Sequence, residues 1–247
     1  MRMKVLDLFS GIGGFSLGLE RAGFETVAFC EVEPFCQKVL KKHWPDVPIY
    51  KDIRKLSSER LQRDGITSID VICGGYPCQP FSAAGKQRGE EDDRHLWPEM
   101  QRLIQEIRPN WVIAENVANH VRLGLDSVLS DLEALGYTWG AYTIPACAID
   151  APHKRERLWI VAHNSSDRGQ GSMSRSLSRE SEFSWFENVR GVEDFFSRPD
   201  IPKPLIGRDD DGFSNRVDRL RGLGNAVVPG IVEQIGRGIT QQSHEIS

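Results

Sequence analysis

Short apolar runs alternate with amphipathic stretches along residues 4–135, and this alternation restricts the fold more than any other feature of the sequence. Strand-like runs at 4–9, 26–31, 69–73 and 111–115 are interleaved with helical periodicity at 14–22, 34–43, 97–107 and 125–135. Such an order predicts an α/β fold: a Rossmann-like, doubly wound, mostly parallel sheet with helices on both faces. Two more β-like runs, 137–144 and 157–163, are expected to add antiparallel strands and complete it. Ligands of these sheets bind beyond the carboxyl ends of the strands, which here carry residues 7–14, Glu31, Asp52, Cys78 and Glu115.

The 247 residues suffice for one α/β domain with a small appendage. Periodicity is lost after residue 163, where Ser, Arg and Gly dominate and apolar residues become scarce. Three parts are therefore expected: residues 1–163 as the main domain, 164–215 as a small irregular insertion, and 216–247 as helices that return to the main domain. The helical stretches 217–223 and 227–239 are separated by Gly224-Asn225-Ala226, a break that suggests a turn brought back to the main site. No apolar run approaches the roughly 20 residues that span a bilayer, so no membrane association is expected. The start of the chain reads as a first strand and not as a signal peptide, which places the protein in the cytoplasm.

Cys78 stands between Pro77 and Pro80 in Gly74-Gly75-Tyr76-Pro77-Cys78-Gln79-Pro80, just after a strand-like run. Proline fixes φ and removes a backbone donor, so the thiol is held on a stiff loop, which suits a nucleophile. The plainer reading is a buried structural cysteine. The five cysteines form no CxxC pair and the histidines lack metal-ligand spacing, so neither disulfides nor a metal site are expected.

Asp7-Leu8-Phe9-Ser10-Gly11-Ile12-Gly13-Gly14 joins a strand to a helix, where glycines let backbone N–H groups approach a ligand. No Walker lysine follows, which favours an adenosine-bearing cofactor without pyrophosphate. Glu31, closing the second strand, is placed to accept from ribose hydroxyls, and Asp52, closing the third, from an adenine amino group. A solvated strand end and a helix-capping side chain are the alternatives for these two. Glu115 precedes Asn116 at another strand end, where a carboxyl can act as a general acid if partial burial raises its pKa, the alternative being a helix-capping Asn116 with Glu115 at the rim. Arg155 and Arg157 lead into the strand 157–163; in extended chain they share a face and can grip a base or phosphate together. A solvated charge run is the commoner explanation of such a string.

Taken in order, these residues resemble the C5-cytosine DNA methyltransferase family. The resemblance rests on the cofactor loop at 7–14, Pro77-Cys78-Gln79, Glu115-Asn116-Val117, the segment 153–157 and Gly224-Asn225-Ala226-Val227, and it spans 1–163 and 216–239. It implies the S-adenosylmethionine-dependent methyltransferase fold, S-adenosyl-L-methionine as cofactor and duplex DNA as partner. By the same resemblance Cys78 adds to C6 of a flipped cytosine, Glu115 acts at N3, and Arg155 contacts O2 and helps place Cys78, with Arg157 in support. Phe9, Gly11, Gly13, Glu31, Asp52, Pro77, Leu96 and Asn225 would line the cofactor site, and residues 82–94 would close over it. The insertion 164–215 would be a target-recognition region. The expected setting is restriction–modification with a cognate endonuclease, or phage self-protection, by a monomer.

Departures from the pattern are His153 where the family has glutamine, and an insertion that is short and nearly neutral, with acidic residues at Glu182, Glu187, Glu193 and Asp194. Since duplex affinity rests on Lys and Arg contacts to phosphate, that region contributes little of it. The net charge of −4 argues against a chain that is basic all over, yet leaves room for a local basic strip. Two other readings remain: a catalytically silent DNA-binding relic with an eroded recognition domain, and a tRNA cytosine-5 methyltransferase.

Overall fold

A seven-stranded sheet in the order β3-β2-β1-β4-β5-β7-β6 forms the centre of the chain. The computed structural model describes residues 2–77, 96–122, 124–149, 155–164 and 226–246. The strands are β1 (Lys4–Leu8), β2 (Glu25–Cys30), β3 (Ile49–Tyr50), β4 (Val71–Gly75), β5 (Trp111–Val117), β6 (Tyr137–Ile144) and β7 (Arg157–Asn164). The helices are α1 (Gly14–Arg21), α2 (Pro34–His43), α3 (Ser58–Arg63), α4 (Trp97–Ile107), α5 (Leu125–Ala134) and α6 (Pro229–Ile246).

β1 to β5 pair in parallel, as the strand–helix alternation requires. At the far edge both added strands pair antiparallel, as expected: β7 runs against β5, and β6, antiparallel to β7, returns to the direction of β5.

Successive residues of the central strands feed opposite faces. Trp111 and Ile113 pack with Val71, Cys73, Phe15 of α1 and Val232 of α6. Val112 and Ala114 pack on the other side with Ile72, Met100 of α4 and Val128 of α5. Strands buried on both faces read as continuous apolar runs, which is why β4 and β5 were legible. Burial of each large apolar side chain contributes about 1.5–3 kcal/mol, so both layers are needed.

Local signals set the helix ends. Pro34 occupies the first turn of α2, and Lys41, Lys42 and His43 occupy the last, where positive charge suits the dipole. α4 stops at Arg108, whose φ of 54° ends the helical run just before Pro109. On α1, Gly14 and Gly18 allow the chain beyond the insertion to approach closely. A Cβ at Gly18 would lie 2.5 Å from the Pro229 carbonyl oxygen, and one at Gly14 would lie 2.9 Å from that of Val227.

Among the described residues, no helix is long and apolar enough to cross a membrane. Cys30, Cys36, Cys73 and Cys147 are buried free thiols. The insertion, the stretch 217–223 and the loop 82–94 lie outside the described residues.

Candidate active site

The turn after β1 carries three residues in the left-handed region: Phe9 at φ 52°, Gly11 at 54° and Gly13 at 87°. For phenylalanine this conformation is costly, and such strain gathers at ligand sites. Ser10 holds the turn, its N–H donating to Cys30 O at 3.2 Å and its Oγ to Asp7 O at 2.6 Å. Glu31 then joins two loops, with Oε2 accepting from Gly11 N at 2.6 Å and Oε1 from Glu33 N at 2.7 Å.

These groups border a cleft of about 630 Å³ at the carboxyl ends of the parallel strands, within the roughly 300–1,000 Å³ typical of small-ligand sites. Phe9, Gly11, Glu31, Asp52, Pro77 and Leu96 all line it. So do Glu115, Arg155 and Arg157, which brings the cofactor-type and catalytic-type residues to one opening. Cys78 and Asn225 lie outside the described residues; their chain neighbours Pro77 and Ala226 are on the cleft wall.

Gly13 departs from the expectation. It does not line the cleft but packs on Trp44, whose ring would lie 2.6 Å from an added Cβ. Asp7 also stands apart. It is fully buried within β1, with Oδ2 accepting from Ser16 Oγ at 2.7 Å and Ser16 N at 3.2 Å. Burial pushes this carboxyl up to about 7, outweighing the Ser16 hydrogen bonds. Asp52 is both cap and wall: its Oδ1 accepts from Arg54 N at 3.1 Å while the residue faces the cleft.

Glu115 lies near the end of β5 and is 7% exposed. Burial pushes its carboxyl up to about 7, against the opposing pull of Arg157 and Arg155. Arg157 Nε meets Glu115 Oε1 at 2.9 Å, whereas Arg155 donates from Nη2 to Ala226 O at 2.9 Å. The expectation that the two arginines share a strand face is therefore corrected. Arg155 precedes β7 and has φ 26°, so the alternation of extended chain does not apply to it. A carboxyl poised near neutrality at a cleft rim is suited to give or take a proton.

Residues not singled out in the sequence complete the walls. Val32 and Ile53 each follow one of the acidic cleft residues, and that apolar-after-acidic pairing was the available signal. Asn116 Nδ2 donates to Tyr76 O at 3.1 Å, which fixes the chain two residues before Cys78.

The residues present fit an adenosyl ligand with a positively charged sulfur. Two carboxylates, Glu31 and Asp52, face the cleft, and the turn at 9–14 has no lysine to meet a phosphate. An added Cβ at Gly11 would meet no atom within 4 Å, so its backbone is open to a ligand.

A family model for C-5 cytosine-specific DNA methylases matches residues 3–200. Type II methyltransferase M2.BsuMI of Bacillus subtilis is 35% identical over 216 residues, 77% of this chain and 53% of that protein. Type II methyltransferase M.HhaI of Haemophilus parahaemolyticus is 34% identical over 164 residues, covering 64% of this chain and 48% of its own. The chain spans about half the length of these curated relatives. Among solved structures, Spodoptera frugiperda DNMT2 aligns with a TM-score of 0.57 over 70% of this chain and 53% of that one, at 20% identity. S. pombe Dnmt2 methyltransferase aligns at 0.56 over 84% and 61%, at 17% identity. Identities this low speak to a shared methyltransferase fold alone.

Proposed function

The chain belongs to the C-5 cytosine-specific DNA methylase family, and from that premise we propose that it is an S-adenosylmethionine-dependent DNA (cytosine-5)-methyltransferase acting on duplex DNA. The observation that carries this reading is one cleft shared by Glu31 and Gly11 of the cofactor-type wall and by Glu115 and Arg157 of the catalytic-type wall.

A cytosine stacked in a duplex is out of reach of any side chain, so the base is flipped into the cleft. There the Cys78 thiolate adds to C6, and the electron pair displaced toward N3 takes a proton from Glu115. A carboxyl near 7 is well matched to this role: both its protonated and its ionised forms are populated at neutral pH, so it can give the proton and its conjugate base can recover it later. The ring is thereby left as a neutral enamine whose C5 is nucleophilic. When bound against Phe9, Gly11, Glu31 and Asp52, S-adenosylmethionine supplies the methyl group that C5 accepts. Solvent water takes the C5 proton as Cys78 departs as thiolate, and the N3 proton returns to the Glu115 carboxylate, which restores the aromatic ring. Arg157 steadies Glu115, and Arg155, anchored on Ala226, is available to the O2 edge of the base. Methylation of this kind fits restriction–modification beside a cognate endonuclease, or phage self-protection, with the chain acting as a monomer and the insertion 164–215 reading the target.

The test is incubation with S-adenosylmethionine and duplex DNA containing 5-fluorocytosine. A covalent adduct with the wild type and none with Cys78→Ser is expected, because fluorine at C5 cannot leave as a proton. Bisulfite sequencing of DNA from an expressing host then identifies the target. DNA binding without adduct would establish the silent relic, and modification of tRNA but not of duplex DNA would establish the RNA enzyme.

A further inference from the structure

The wall of the cleft that includes Asp52 has little sheet behind it. β3 is only two residues long, and the chain leaves it through a 3-10 turn, Ile53–Lys55, before α3 begins. Backbone groups without a strand ladder must find other partners. Ile53 and Leu56 are both nearly fully buried; the Ile53 carbonyl accepts from Leu56 N–H within the turn at 3.2 Å, and a single side chain on α4 reaches the carbonyls of both. Arg102 donates from Nη2 to Ile53 O at 3.0 Å and to Leu56 O at 2.9 Å.

The guanidinium is itself held. Its Nε donates to Glu99 Oε2 at 2.9 Å and its Nη1 to Glu106 Oε1 at 2.6 Å. Glu106 Oε2 also accepts from Ser58 N at 2.9 Å, so both ends of segment 53–58 hang from α4. Leu96, which caps the start of the same helix, lines the same cleft as Asp52 and Ile53. α4 thus carries one wall directly and a second through Arg102. An isolated exposed ion pair contributes little, but a planar fork that bridges two carboxylates and two carbonyls is a rigid strut.

We propose that Arg102 is a positioning residue for the adenosyl end of S-adenosylmethionine. This rests on the functional reading above and deepens it. Arg102 does not line the cleft; it sets where Asp52 and Ile53 stand relative to Leu96 before ligand arrives. Preorganisation of that kind acts on affinity and leaves the chemistry at Cys78 and Glu115 alone.

The experiment is calorimetric titration of S-adenosylhomocysteine into the full chain, comparing wild type with Arg102→Met and Arg102→Lys. Methionine keeps the length and removes every donor, while lysine keeps the charge without the fork. Arg102→Met is expected to weaken binding about tenfold or more, with the lysine variant in between, since methionine loses every donor and lysine only the planar fork. In turnover, the KM for S-adenosylmethionine should rise by a similar factor while kcat at saturation stays within about twofold. Ile239→Val, which thins the core on α6, is the control: it should lower Tm and leave affinity unchanged. Binding by both folded Arg102 variants within about twofold of wild type, or a fall in kcat at constant KM, overturns the proposal. Should Arg102→Met fail to fold, Arg102→Lys decides alone, a loss of about threefold or more supporting the proposal and anything smaller overturning it. A wild-type chain that takes up no adenosyl ligand overturns the functional reading itself, and this proposal with it.

Discussion

Arg157 of β7 and Glu115 of β5 meet across the one antiparallel junction beside the parallel strands, Nε to Oε1 at 2.9 Å. They are not directly opposite: Arg157 pairs with Val117 and Glu115 with Trp159, so the contact is a diagonal one on a single sheet face. The positive charge offsets part of the burial penalty on Glu115, which leaves the carboxyl near 7.

Removing that charge should move the acid. In Arg157→Met, Glu115 loses its largest opposing influence and its pKa rises further. The high-pH limb of kcat/KM, expected near 7 in the wild type, should shift upward by about one unit or more, while activity at neutral pH falls about 10–100-fold from lost orientation. A pH–rate profile on duplex DNA checks both effects. An unmoved limb would detach Glu115 from proton transfer.

Glu115→Gln keeps the shape and cannot give a proton. Activity should drop by about 10²–10⁴-fold, the usual contribution of general acid catalysis. The descending limb should vanish with it, and retained wild-type rates would exclude the role.

Stability should also respond to pH. Asp7 and Glu115 ionise from ordinary values of 3.8 and 4.5 when unfolded, but only near 7 in the folded chain. Between about pH 4 and pH 7 the unfolded state has released protons that the native state keeps, so stability falls as pH rises through that window and levels above it. Asp7→Asn and Glu115→Gln should each flatten the decline, by about 1–3 kcal/mol across the window. Melting temperatures at half-unit steps from pH 5 to pH 8 measure this, and unchanged slopes in both variants would refute it.

Gly18→Ala tests the packing of α1 on α6. Alanine raises helix propensity by about 1 kcal/mol over glycine, yet its Cβ would sit 2.5 Å from Pro229 O and 2.6 Å from Val232 Cβ. The clash should win, with a net loss of about 1–3 kcal/mol in denaturant unfolding. Leu17→Ala, at the exposed neighbouring position, should change stability far less.

Much of this architecture was readable before any coordinates. The bounds of α2, α4 and β6 coincide with their hydrophobic periodicity, because proline at helix starts and a glycine turn at Gly136 mark them locally. The acidic residues of the cleft were readable too, since strand ends in a doubly wound sheet are a geometric rule and not a residue property. What escaped is tertiary. Nothing near Arg102 in sequence announces that its guanidinium reaches carbonyls some fifty positions earlier. Arg155 defeated a period-2 argument by taking a left-handed φ just outside its strand, and Gly13 proved to accommodate a tryptophan that no local pattern connects to it.

The closeness of Gly14 and Gly18 to Val227 and Pro229 bears on how the molecule is made. α1 precedes α6 by some two hundred residues in the chain, so one side of it stays bare until the later helix has been made. Until that late helix arrives, Phe15 and Leu19 lack the cover of Val232 and Ile235, and the turn that begins α1 has no backing. The Ala226–Val227 side of the cleft is thus backed only once the segment beyond the insertion has been made, however early the strands of the sheet are ready.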